Sequence, residues 1–250
     1  MAVVDDSPPI TPAQQNLLQQ VVGVFLFYAR AVDSTMLVPL SDLAASQTEG
    51  TAKTMQDMTQ LLDYASSHQD AKVRYRRSDM KLAVSSDASY LSAPRARSRL
   101  GGYFYLSEEA DPAFNSPPPT NNGAVLVISK ITKIVVGSAA EAEIAACYHN
   151  GQEACPIRVA LEFMGWPQGT TQITTDNECA EGFANKTMKQ NRTKSIDMRF
   201  YWIQDRTEQE QFQIVWRENT TNLADYFTKS HPISHHQEMR PTYLYIHIIK

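Results

Sequence analysis

Four acidic residues stand where the edge of a sheet could gather them. Asp87 lies in Ser85-Ser86-Asp87-Ala88-Ser89, within or just past an alternating strand, and Asp176 follows Gln172-Ile173-Thr174-Thr175. The second of these is a strand's C-terminal end, where α/β sheets place their sites. Glu143 falls in the first turns of a helix that Ser138 caps, and Asp225 opens a short last helix. Carboxylates brought together in this way supply the oxygen ligands that hard divalent cations take. Each residue also has a plain structural reading. Asp87 and Asp176 suit strand-end turns, and Glu143 and Asp225 complement helix dipoles. Glu141, third residue of a Ser138-Ala139-Ala140-Glu141 capping box, already has such a task. Residue type and spacing leave both readings open.

No rival chemistry stands out. Cys147, Cys155 and Cys179 form no pair and no metal spacing, no Gly-x-Ser-x-Gly occurs, and His149 and His235-His236 read as surface residues. An odd cysteine count without a secretory signal points to a reducing compartment and no disulfide frame. Met1 to Pro9 is acidic, the opposite of a signal peptide. The longest apolar run, Val21 to Ala29, ends at Arg30, well short of the roughly twenty residues of a membrane span. The expectation is a chain that is not secreted and has no membrane partner. With a net charge of −4, any grip on nucleic acid must come from local clusters. Two exist. Arg74, Arg76, Arg77, Arg95, Arg97 and Arg99 crowd the first candidate strand, and Lys186, Lys189, Arg192, Lys194 and Arg199 form the second cluster.

The elements that must position these groups fall into two textures. At 250 residues the chain has room for one large domain or a medium and a smaller one. Thr11-Pro12-Ala13-Gln14 is a helix start. Leu17, Val21, Val24 and Tyr28 then repeat at helical spacing, widened by Leu18, Val22 and Phe25. Further helices are expected over Met36–Ala45 and around Met55–Ala65. After Asp70 the spacing predicts strands at Lys72–Arg77, Lys81–Ala88 and Gly102–Leu106, a proline-bearing connection at Ser107–Asn122, and strands at Ala124–Ile128 and Lys133–Val136. A helix to about Glu153 follows, Pro156 starts another, and Gln172–Thr175 reads as a buried strand. Glu178–Ala184 and Ser195–Glu208 read as helices, Phe212–Trp216 as a strand and Leu223–Lys229 as a final short helix. This order makes a mixed α/β domain.

Five segments then carry a resemblance. Thr175-Asp176-Asn177-Glu178-Cys179-Ala180 resembles the Asp-Asn-Gln-Ser-Ala segment of ribonuclease H domains in copia-type retrotransposon Pol polyproteins. Ala140-Glu141-Ala142-Glu143-Ile144-Ala145 resembles their Thr-Glu-Ala-Glu-Tyr-Val-Ala, and Arg192-Thr193-Lys194-Ser195-Ile196-Asp197-Met198-Arg199 their Arg-Thr-Lys-His-Ile-Asp-Ile-Arg. Asn222-Leu223-Ala224-Asp225-Tyr226-Phe227-Thr228-Lys229 is similar to their Gln-Leu-Ala-Asp-Ile-Leu-Thr-Lys, and Arg97-Ser98-Arg99-Leu100-Gly101-Gly102-Tyr103 loosely matches a segment after the first aspartate. The segments occur in family order over some three fifths of the chain.

The resemblance implies a ribonuclease-H-like mixed five-stranded sheet flanked by helices at residues 70–230. It implies a helical segment before it (1–69), similar to the end of a reverse transcriptase region, and a tail at 231–250. It implies that Asp87, Glu143, Asp176 and Asp225 are catalytic and hold two Mg2+ ions, with Mn2+ able to substitute. Glu143 is preferred to Glu141 because the family's catalytic glutamate directly precedes the apolar run of its helix. Ser89, Arg97, Ser98, Asn177, Glu178, Arg192, Thr193 and Lys194 are implied to contact the substrate, an RNA–DNA hybrid. The polymerase part of the same polyprotein is the implied partner, in a cytoplasmic retroelement particle or the nucleus. No Tyr-x-Asp-Asp polymerase motif occurs. Two departures stand out: Ser195 replaces a common histidine, and Arg217–Ala224 lacks the histidine that cellular relatives carry before the last aspartate. A hybrid-binding module without activity, and another nuclease of the same fold such as an integrase, are the competing readings.

Overall fold

Thr11 opens the first helix as its spacing predicts: its hydroxyl accepts from the Gln14 N–H, and the Gln14 side chain accepts the Thr11 N–H. The computed structural model describes residues 5–109, 117–187 and 197–245. The chain divides into two compact units, residues 1–73 with 232–250, and residues 74–231. The first holds α1 (Pro12–Ala31), α2 (Leu37–Ala45) and α3 (Ala52–Ser67). Leu17 and Val24, expected inside, are exposed, and the buried stripe is Leu18, Val21, Val22 and Ala29. The buried face is thus centred one residue round from the expected one. The segment set apart in sequence as a tail supplies a fourth helix to this unit, α7 (Ile233–Tyr243), with Tyr243 and Leu244 buried. Arg240 Nε donates to the Tyr64 hydroxyl at 2.9 Å, which donates to Asp33 at 3.0 Å. Among the described residues no helix is long and apolar enough to cross a membrane.

In the second unit the alternating stretches form β1 (Lys81–Ala93), β2 (Arg97–Ser107) and β3 (Ala124–Ile131), paired antiparallel in sequence order. The chain then returns to the other side of β1 with β4 (Thr171–Thr175) and β5 (Phe212–Trp216), both parallel to it. The order β3-β2-β1-β4-β5 is the mixed five-stranded sheet expected. Every residue of β4 is buried, as an inner parallel strand requires.

Two expected strands are absent. Lys72–Arg77 has no strand partner; the Asn122 amide takes both backbone groups of Arg76 instead, at 2.8 and 3.0 Å. Lys133–Val136 lies beyond the end of β2, where Thr132 closes the ladder by donating its N–H to Ser98. The amphipathic stretch before β5 is helical over α6 (Tyr201–Glu208), after a 3-10 turn, with Phe200 and Ile203 buried; residues 195–196 lie outside the described ones. Asp225 opens a single 3-10 turn, Asp225–Phe227, rather than a helix.

The helix expected to stop before Pro156 runs through it, as α4 (Ala139–Phe163). Pro156 removes one N–H and frees the carbonyl of Gln152. Both residues lie on the exposed side of the helix, so water can take that carbonyl and the helix survives. The inner side of α4 comes close to β2 because Gly102 has no side chain. A Cβ there would stand 2.4 Å from Asn150 Oδ1 and 2.9 Å from Phe104. Gly102→Ala is therefore expected to cost about 1–3 kcal/mol in a urea titration, the usual price of overpacking. An unchanged midpoint would show that Asn150 simply moves aside.

Candidate active site

The two central parallel strands part company early. β1 and β4 pair only at Val84–Ile173 and Ser85–Thr174, while β4 stays with β5 as far as Thr175–Trp216. Beyond Ser85 the two strands are no longer paired, at the C-terminal end of β4 and midway along β1, where the strand order reverses. Open α/β sheets place ligands there. β1 carries Asp87 past the parting, and Asp176 follows β4 directly. Glu143 comes from the first turns of α4, started by the Ser138 hydroxyl accepting from the Glu141 N–H at 3.1 Å. Glu141 turns away to accept the Gly137 N–H at 2.6 Å, rather than that of Ser138 as a reciprocal capping box would have it. Glu143, not Glu141, thus reaches the parting. Asp87, Glu143 and Asp176 each offer an oxygen, all within 4.8 Å of one another.

Fixed donors hold these carboxylates. Glu143 Oε1 accepts the Ala88 N–H at 3.0 Å on the side of β1 that β4 has left, and Oε2 accepts from Thr175 at 3.4 Å. The two oxygens of Asp87 are held from one segment, Oδ2 by the Thr228 hydroxyl at 2.7 Å and Oδ1 by Asn222 Nδ2 at 3.3 Å. That segment approaches closely because Gly101 is bare: a Cβ would stand 2.7 Å from Thr228 and 2.8 Å from the Ala224 carbonyl. Trp216 donates its indole N–H to the Asp176 carbonyl at 3.0 Å. Asn150, two turns on from Glu143, ties α4 to Ser86 Oγ at 2.9 Å and to the Gly101 carbonyl at 2.8 Å.

Burial first, and then mutual repulsion, disfavours ionisation here. Glu143 is pushed up to about 9 by burial and by the charges of Asp87 and Asp176. Burial raises Asp87 to about 7, with Asp225 and Asp176 adding to it against the Thr228 hydrogen bond. Asp176 is raised by burial and by Asp225. The thiol of Cys147, one turn beyond Glu143, is pushed up to about 12 by burial and then by Glu143, so it stays neutral. A buried group of oxygen ligands, with no nitrogen or thiolate among them and too little positive charge to ionise, fits a hard divalent cation.

Asp225 stands outside the three. Its Oδ1 pairs with Lys229 at 2.6 Å, yet its charge reaches Asp87 and Asp176. Ser89 donates to the Thr228 carbonyl at 2.6 Å, beside the site. Arg97 is exposed, and Ser98 is buried, its hydroxyl accepting from Leu91. Asn177 caps α5 (Glu178–Ala184), its Oδ1 accepting from Cys179 and Ala180, and Glu178 is exposed. Arg192, Thr193 and Lys194 lie outside the described residues. Of the second basic cluster, Lys186 pairs with Glu208 and Arg199 with Asp197. Sequence reasoning assigned nothing to Asn222 or Thr228. The one signal available was that both flank Asp225 in a motif already quoted.

No protein-family model matches the chain. Over 112 residues, 45% of the chain, it is 30% identical to the retrovirus-related Pol polyprotein from transposon TNT 1-94 of Nicotiana tabacum; the match spans 8% of that polyprotein. Among solved structures, the N-terminal ribonuclease H domain of a Mycobacterium tuberculosis protein is 11% identical, covering 59% of this chain and 95% of that one at a TM-score of 0.36. A foamy viral protease-reverse transcriptase in complex with RNA/DNA hybrid is 13% identical, covering 92% of this chain and 27% of that one at 0.48. Ribonuclease H1 of Halobacterium salinarum is 12% identical, covering 59% and 94%, at 0.36. At such scores these likenesses carry no weight beside the strand order itself.

Proposed function

We propose that this chain, which resembles the ribonuclease H region of a retrotransposon Pol polyprotein, hydrolyses the RNA strand of RNA–DNA hybrids while a retroelement RNA is copied into DNA. The observation that carries this reading is the convergence of buried Asp87 and Glu143 with half-buried Asp176 where β1 and β4 part. Two Mg2+ ions, or Mn2+ in their place, would supply there an activated water and a stabilised leaving oxygen. Asp87, Glu143 and Asp176, with Asp225 as a fourth ligand, would hold them. The Ala88 N–H, Thr228 and Asn222 aim the ligand oxygens. Asn177 and Glu178, directly after a ligand, are proposed to meet the RNA 2′-hydroxyl, the group that separates RNA from DNA. Ser89, Arg97, Ser98 and the 192–194 segment are proposed to contact the hybrid, and the helical unit to derive from the polymerase side of the same polyprotein. The presence of all four carboxylates favours an enzyme over a module that only binds.

One assay tests the reading: labelled RNA–DNA hybrid, duplex DNA and duplex RNA, each incubated with Mg2+ and with chelator. The expected result is Mg2+-dependent loss of the hybrid's RNA strand alone. Cleavage in chelator, or equal cutting of duplex DNA, would sink it.

A further inference from the structure

The fourth acidic residue does not join the other three, and one side chain accounts for it. Among the described residues the oxygens of Asp87, Glu143 and Asp176 form a group that Asp225 stands outside. The Lys229 ammonium lies 2.6 Å from Asp225 Oδ1. The backbone beneath this pair is fixed to β1. Thr228 Oγ1 lies 2.7 Å from Asp87 Oδ2 and 2.8 Å from the Asp225 carbonyl, and Asn222 reaches the Ser86 carbonyl at 3.1 Å. What can change at Asp225 is therefore its side-chain rotamer and partner, not the position of its turn. The pair lies at the rim, with the Lys229 side chain 48% and that of Asp225 23% exposed. Lys229 also belongs electrostatically to the whole site: after burial, its charge is among the influences on both Asp87 and Asp176, opposing the rise that Asp225 adds.

We propose that Lys229 is the site's own counter-ion, holding Asp225 in the metal-free protein and competing with a divalent cation for that carboxylate. This rests on reading the carboxylates as a metal site. A monovalent ammonium in a half-exposed pair is a weak competitor, so an arriving ion displaces it at modest cost and Asp225 turns to the metal. Lys229 thereby sets how much free cation the fourth ligand needs, and it shields the empty site from its own repulsion.

The test titrates Mn2+, without nucleic acid, into the full chain and three variants by calorimetry: Lys229→Met, Asp225→Asn and the two combined. Lys229→Met is expected to tighten Mn2+ binding by about two- to fivefold, the range that an exposed ion pair supports. In the Asp225→Asn background the same change is expected to do nothing, because the competition has lost its object. Lys229→Arg keeps the charge and should bind as the parent does. Equal tightening in both backgrounds would mean a general charge effect and overturn the inference, as would no tightening at all. Absence of Mn2+ binding in the parent would overturn the metal-site reading as well, so the two failures are distinguishable.

Discussion

Glu143→Gln is expected to lower hybrid cleavage at least a thousandfold, on the order of 4 kcal/mol of barrier, while the metal-free protein at pH 7 becomes more stable than its parent. The two halves of this outcome share one cause. The Glu143 carboxyl, pushed up to about 9, keeps its proton at pH 7 when no metal is bound. Glutamine has the shape of that protonated acid. Its oxygen can accept the Ala88 N–H, and its amide can donate to Thr175, which now accepts. Nothing charged is lost from the empty site, and the variant escapes the stability loss that the parent incurs at pH 7 by holding a proton that its unfolded chain releases. A metal ion, in contrast, requires the anion, and glutamine cannot supply it. If Glu143 only complements the dipole of α4, the pattern reverses: activity survives and stability falls by a few tenths of a kcal/mol. Urea titrations in chelator, beside the hybrid assay, separate the two.

The metal-free protein is expected to lose stability as pH rises from about 5 to 9, the opposite of a protein whose carboxylates are paired. In the unfolded chain these groups titrate near 4. Folded, Asp87 is raised to about 7 and Glu143 to about 9, and Asp176 is raised too. Below pH 4 both states hold the protons and the contribution to stability is fully present. Above it the unfolded chain releases protons that the folded one retains, which costs about 1.4 kcal/mol per pH unit for each such proton. The loss ends as pH passes the folded values, near 7 for Asp87 and 9 for Glu143. Other groups titrate across the same window, so the decisive quantity is the difference between the parent and Glu143→Gln in urea at pH 5, 7 and 9 with chelator. That difference should widen with pH, and saturating Mg2+ should restore the parent most at pH 9. A difference that stays constant with pH would mean that Glu143 keeps no proton on folding.

What was legible in the sequence was what local pattern decides. The period of two in Lys81–Ala88 and the short Gln172–Thr175 stretch marked two strands, with Asp87 inside the first and Asp176 directly after the second. A mixed sheet followed from the order of elements. What local pattern could not give was partnership. Lys72–Arg77 has strand texture but meets the Asn122 amide instead of a strand. Pro156 is a stop signal that α4 overrides, Pro156 and Gln152 both lying on its exposed side. Thr228 and Asn222 bond to an aspartate 141 and 135 positions away, a relation that no spacing rule records. Gly101 and Gly102 are bare patches of strand that let Thr228 and Asn150 in, a close approach that no pattern in the sequence announced.

The bond from the Trp216 indole to the Asp176 carbonyl has an optical consequence. Trp202 packs on Tyr148 and Phe212, whereas Trp216 is wired to the turn that carries Asp176. If Asp176 is drawn onto a cation, as proposed, the field along that N–H changes, and the emission of this one indole should follow. On that reading the protein carries its own dye for the site: a divalent-ion titration should be readable from intrinsic fluorescence, with no label and no substrate, and Trp216→Phe should silence it.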